Sequence, residues 1–215
     1  MSVEGAPTGM THVVDGNAVA ADVRDGLRDA IETLTAEGVQ PGLATVLMSD
    51  DDASATYVSM KQRDCEEVGI DGIHVEIDPE ASTAELYETI DDLNADGDVH
   101  GILVQLPVPD HVDDREVLRR IDPAKDVDGF HPENVGRLVA GDARFKPCTP
   151  HGVQKLLDSA DVDVDGKDVV VVGRSDIVGK PLANLFMQRD QGGNATVTVC
   201  HSHTEDLAAP TKRAD

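Results

Sequence analysis

DVVVVGRSDIVGKP, residues 168–181, is the stretch whose reading decides the fold. Its valine run, Val169–Val172, is too short for a helix and too uniformly apolar for a half-exposed strand. It reads as a strand covered on both faces, the form strands take in a parallel sheet. The chain then turns over GRSDIVG (173–179) and enters a helix expected over 178–188. Strand, glycine-bearing turn and helix in that order open a βαβ unit, and ATVTVC (195–200) supplies its second strand. Backbone N–H groups at such a helix start can approach a phosphate. The glycines are not spaced as in G-x-G-x-x-G, so the standard dinucleotide fingerprint is not met.

The pattern repeats upstream. Val19, Val23, Leu27, Ile31 and Leu34 recur at steps of four or three, which makes residues 17–36 an amphipathic helix. Residues 43–48 (LATVLM) read as a strand, 54–68 as a helix ended by Gly69, and 72–77 (GIHVEI) as a strand. A helix over 82–95, a strand over 101–105 (GILVQ) and a helix over 112–121 follow. The last helix has Val112, Val117, Leu118 and Ile121 for its apolar face. A further helix is expected from Thr149 as N-cap, with Pro150 at its first position, to about Ser159.

Strands alternating with helices imply an α/β fold with a parallel sheet. Three segments are expected: a loose extension over 1–13, a first domain over 14–149, and a Rossmann-type second domain over 150–215. A nucleotide half-unit needs a third strand, so the second domain reads as incomplete at its C-terminus.

Composition narrows the function. Acidic residues number 42 against 18 basic, for a net charge of −24. A surface of that sign repels nucleic acid and anionic membranes. Its self-repulsion is relieved by salt, which points to a halophilic source. No apolar run is long enough for a membrane span and the start has no signal-peptide pattern, so a cytoplasmic protein is expected. Cys65, Cys148 and Cys200 are scattered and odd in number, so they are expected to be reduced thiols that pack as small apolar groups. No metal site is expected at Cys200-His201-Ser202-His203, because alternate strand residues point to opposite faces.

Ligands in parallel sheets gather at the carboxyl ends of strands. Tyr57 and Lys61 stand four apart on the helix after the first strand and share a face, with Ser54 near its N-terminal end. VQLPVP (104–109) ends a strand in Gln105 and then stiffens the exit with Pro107 and Pro109 around Leu106. An amide beside a rigid wall suits a flat, hydrogen-bonding ligand. Asp128 lies in the turn-rich KDVDGFHPENVGRL (125–138), and PCTP (147–150) by itself is only a helix start. After the strand 195–200 no acid stands where NAD's ribose would need one, and Arg174 offers a guanidinium for a 2′-phosphate. NADP is therefore favoured over NAD.

Taken in order, YVSMK (57–61), VQLPVP (104–109), PAKDVDGFHPENVGRL (123–138), FKPCTPHGV (145–153), VVGRSDIVGKP (171–181) and ATVTVCHSHT (195–204) resemble one family. That family is the bifunctional methylenetetrahydrofolate dehydrogenase/cyclohydrolases. The resemblance runs from about Val14 to Asp215. It implies a folate domain, an NADP domain, an active site in the cleft between them and a homodimer. It implies oxidation of 5,10-methylenetetrahydrofolate by NADP, followed by hydrolysis to 10-formyltetrahydrofolate. It also implies Lys61 as the catalytic lysine bonded by Gln105, Tyr57 in the folate pocket and Asp128 against the pterin. Gly173, Arg174, Ser175, Ile177 and Ser202 fall where the family meets NADP. A lysine acting as a base needs its ammonium destabilised, by burial and by the substrate's own positive charge.

The matching pattern breaks off at Asp215, before the family's glycine-rich loop and final helix. A second expectation of a different class is therefore an inactive folate- or nucleotide-binding fragment. A dehydrogenase of amino or hydroxy acids shares the α/β pattern but leaves Tyr57, Lys61 and VQLPVP without a reason.

Overall fold

The computed structural model describes residues 13–190 and 192–215. The extension expected over 1–13 therefore lies outside the described residues, apart from Val13. Eight helices and five strands alternate through the described residues. The first part runs α1 (Gly16–Ala36), β1 (Gly42–Leu47), α2 (Asp52–Val68), β2 (Asp71–Glu76), α3 (Thr83–Ala95), β3 (Gly101–Val104) and α4 (Asp114–Arg120). Then come α5 (Pro132–Ala140), α6 (Cys148–Ser159), β4 (Asp168–Val172), α7 (Gly179–Phe186), β5 (Thr196–Cys200) and α8 (Ala208–Arg213).

Helix starts follow local chemistry. Asp15, Asp51, Ser82 and Asp113 each accept backbone N–H groups of the first turn that have no partner inside the helix. Gly69 ends α2 in the left-handed region, where glycine carries no Cβ penalty. Two expectations are corrected here. α6 starts at Cys148 with Pro147 in the cap position and no side-chain cap bond, so Thr149 is inside the helix rather than its cap. Residues 132–140, read as part of a turn-rich stretch, form α5, with Pro132 in its first turn and Gly141 closing it at positive φ. α8 had no counterpart among the expected elements.

β1 pairs in parallel with β2 on one side and β3 on the other, giving the order β2-β1-β3. β4 and β5 form a second parallel pair. The expectation of strands covered on both faces holds for β1 and β3, which are buried almost throughout. It fails for β2, an edge strand whose residues alternate between exposed and half-buried, while β4 and β5 form a two-stranded pair that is largely half-buried among the described residues.

The first core gathers Ala44, Val46, Met48, Leu86, Ile90 and Ile102, all fully buried, between the sheet and its helices. The second is smaller: Val164, Val171, Ala183 and Phe186. The two units meet where α1 packs on α6 and α5 on α7. At the second contact the buried Gln188 amide donates to the Leu138 carbonyl at 2.6 Å. The carboxyl ends of β1 and β3 and the start of α6 thereby converge on one region.

Candidate active site

Lys61 and Gln105 meet although 44 positions separate them. Lys61 Nζ donates to Gln105 Oε1 at 2.8 Å. The orientation of the Gln105 amide follows from its other end, because Nε2 donates to the Leu106 carbonyl at 2.8 Å. That bond leaves the oxygen free to face the lysine. β3 supplies the rigid base: Val104 is buried, and Gln105 N–H still bonds the Val46 carbonyl of β1. The exit of β3 then passes through Leu106, Pro107 and Pro109, with a cis bond between Leu106 and Pro107.

Asp128 completes the group. Burial pushes its carboxyl above the usual range, the Lys61 ammonium pulls it back, Asp126 raises it further, and a hydrogen bond from Cys148 lowers it. An ammonium, a carboxyl and a thiol thus share one microenvironment. Cys148 is open to solvent by surface area, yet its thiol is pushed up to about 11, by crowding of the sulfur and then by Asp128. Either cause keeps Cys148 a neutral thiol near neutral pH. Sequence reading missed this residue, because a single cysteine at a helix start carries no spacing signal. Its place inside FKPCTPHGV was the one clue.

Tyr57 stands one turn before Lys61 on α2 and is 59% exposed, so its ring forms an accessible lip. Ser54 lies in the first turn of α2 as expected, but its side chain is engaged with the helix cap. It is buried, and both its N–H and its hydroxyl donate to the Asp51 carboxylate, at 2.8 and 2.9 Å. These bonds hold Asp51 below the usual carboxylate range and build the start of α2. Behind Lys61 and Cys148, a cavity of about 750 Å³ runs between α1, α2 and α6, walled by Val19, Val23, Leu27 and Leu156.

The nucleotide candidates lie on the other unit. Gly173 has φ +142, open to glycine and strained for other residues. A Cβ on Gly179 would sit 2.4 Å from the Gly173 carbonyl oxygen, so the turn can press against the start of α7 only with glycine there. Ser175 Oγ accepts the N–H groups of Val178 and Gly179, both at 3.2 Å, which leaves its own proton free to donate outward. Arg174, Ile177 and Ser202 are exposed around this turn and the end of β5. Among the described residues, no three His, Cys, Asp or Glu side chains converge to hold a metal. Nor is any described helix long and apolar enough to cross a membrane.

Comparison with known proteins adds the family context. Residues 14–128 match the model of the tetrahydrofolate dehydrogenase/cyclohydrolase catalytic domain, and residues 147–215 that of the same family's NAD(P)-binding domain. The chain is 71% identical over 206 residues to the bifunctional protein FolD of Natronomonas pharaonis, covering 96% of this chain and 69% of that protein. It is 70% identical to bifunctional protein FolD 1 of Haloarcula marismortui, with the same coverage. Among solved structures, the Campylobacter jejuni FolD methylenetetrahydrofolate dehydrogenase/cyclohydrolase superposes with a TM-score of 0.88 at 44% identity, over 94% of this chain and 70% of that one. The Trypanosoma brucei dehydrogenase-cyclohydrolase, complexed with NADP and an inhibitor, superposes with a TM-score of 0.89 at 36% identity, over 95% and 70%.

Proposed function

Because the chain belongs to the tetrahydrofolate dehydrogenase/cyclohydrolase family, we propose that it oxidises 5,10-methylenetetrahydrofolate with NADP and hydrolyses the methenyl product to 10-formyltetrahydrofolate. The observation that carries this reading is the Lys61–Gln105 hydrogen bond beside Asp128 at the carboxyl end of β3.

Each side chain has a task in that chemistry. Asp128 offers a carboxyl to the polar edge of the pterin, and Tyr57 an exposed aromatic face to the flat ring. Pro107 and Pro109 wall the pocket with fixed backbone. Gln105 holds Lys61 Nζ in place without putting a second negative charge beside it. Water attack on the cationic methenyl carbon releases a proton, and Lys61 Nζ, its own proton lost to solvent as the cationic substrate binds, is the group placed to take and return it.

The second unit fits a nucleotide on its own geometry. The close approach of Gly173 to Gly179 lets the turn press against the start of α7, where the helix dipole favours an anion, while Ser175 takes up the Val178 and Gly179 N–H groups. Ser175 has a proton to give a phosphate, and Arg174 a guanidinium for the 2′-phosphate that distinguishes NADP. When bound, the nicotinamide supplies the hydride-accepting chemistry, and the protein's part is to position it.

The direct test is to incubate the purified protein with methylenetetrahydrofolate and NADP. Methenyl absorbance should rise and then decay by hydrolysis, and NAD should serve more slowly. No absorbance change and no hydrolysis of added methenyltetrahydrofolate would favour the fragment reading. Salt adaptation belongs to the same proposal, supported by the net charge of −24 and by relatives from halophilic archaea. The Tm should climb between low and molar KCl, and a flat Tm would count against it. The homodimer implied by the family resemblance is checked by sedimentation in high salt.

A further inference from the structure

The loop that carries Asp128 is held by groups for which the proposed chemistry has no use. Lys125 Nζ donates to three carbonyls at the C-terminal end of α3: Leu93 at 3.0 Å, Asn94 at 2.8 Å and Asp96 at 2.7 Å. Its backbone carbonyl accepts from Ile102 N–H at 2.7 Å, which ties the loop to β3. Asp126 then begins a turn, its carbonyl accepting from Gly129 N–H at 3.1 Å. Asp128 therefore sits near the apex, with Gly129 at φ +68 behind it.

The Asp126 side chain closes the far side. It is 1% exposed, and its carboxylate accepts from Phe130 N–H at 3.3 Å, His131 N–H at 2.8 Å and Asn134 Nδ2 at 2.8 Å. Asn134 is 0% exposed and also donates to the Pro123 carbonyl at 2.9 Å, while its Oδ1 finds no partner among the described residues. A buried carbonyl left unbonded is costly, and a leucine of similar size would avoid it. The amide is therefore retained for its donor half, which clasps Pro123 on one side of the turn and Asp126 on the other.

We infer that Asp126 is a positioning residue for this reaction: clasped by Asn134 and the Phe130 and His131 N–H groups, it fixes the turn that presents Asp128 to the substrate. The inference rests on the reading that Asp128 binds the folate. Asp126 acts on it in two ways, by geometry through the turn and by charge, since it is one of the groups that raise the Asp128 carboxyl. No hydrogen bond of the Asp126 carboxylate goes to the nucleotide turn on the second unit.

A double-mutant cycle tests this in the full chain, with separate KM values for methylenetetrahydrofolate and NADP. Asp128→Asn should raise the folate KM by about tenfold or more, and Asp126→Asn by about tenfold, with the NADP KM unchanged. Adding Asp126→Asn to Asp128→Asn should then raise the folate KM no further. Asn134→Ala, which keeps the carboxylate and loosens the clasp, should raise it by about threefold; it carries the test if Asp126→Asn does not fold. Equal damage to both KM values, or effects that multiply in the double variant, would mean general support of the fold and overturn the inference. An unchanged folate KM in Asp128→Asn would instead overturn the substrate-binding reading, and the inference with it.

Discussion

The two ligand-facing regions of this molecule are built by opposite means. On the first unit, four side chains from distant elements touch or charge one another: Lys61, Gln105, Asp128 and Cys148. They stand on a sheet whose strands β1 and β3 are buried almost to the last residue. On the second unit the framework is a tight backbone turn, with a glycine at φ +142 and another that leaves no room for a Cβ, locked by a serine whose Oγ gathers two N–H groups. On the proposed reading, proton transfer, which needs atoms held in fixed relation to each other, falls to the side-chain cluster. Holding a phosphate needs only oriented donors, and on the proposed reading these are the Ser175 hydroxyl and the exposed Arg174 guanidinium beside the tight turn.

The largest effect should come from Lys61→Ala. Cyclohydrolase turnover should fall by about a thousandfold or more, while the KM for NADP stays within about twofold. Substantial remaining hydrolysis would move the proton-transfer role elsewhere in the cluster. Arg174→Ala should do the reverse: preference for NADP over NAD should drop by about ten- to a hundredfold, with folate KM and methenyl hydrolysis unaffected. A matching loss on the folate side would blur the division.

The smallest effect is in stability and depends on pH. The fold holds the Asp128 carboxyl above its ordinary 3.8, so the unfolded chain gives up that proton first as pH rises. Stability is lost across the window between 3.8 and the raised value, and stays lower above it. Asp128→Asn removes the ionisation, so its Tm relative to the parent should improve as pH rises from below 3.8 through the raised value. A difference that stays constant with pH would mean that burial does not strain this carboxyl.

Most elements could be read in the chain because periodicity and burial coincide there. The five strands and the long helices α1 to α3 fall within a residue or two of where their apolar spacing put them. α5 escaped because its inward face is built on Asn134 and Leu138, and a buried asparagine breaks the apolar pattern. Its signals were the caps, Pro132 and Gly141, which are easily mistaken for turn residues. Gln105 and Lys61 were visible as polar groups at strand ends and on helix faces. Ser54 looked equivalent by helical spacing, but spacing does not tell whether a hydroxyl faces a ligand or its own cap. Cys148 and Asp126 were hidden for a common reason. Their importance depends on neighbours brought in by tertiary structure, and nothing local marks them.

The Gln188–Leu138 bond also says where the molecule would and would not come apart. By sequence the seam lies between residues 128 and 147, the stretch that neither family match covers. In space that stretch contains α5, which Asn134 fastens to the first unit and Leu138 to the second. It works as a rivet rather than a tether. A swing of α7 that kept this bond would drag the last turn of α5 with it. A swing that broke it would strand a buried amide and a buried carbonyl together. The hinge, if the units rock, therefore has to lie on one side of α5 and not within it.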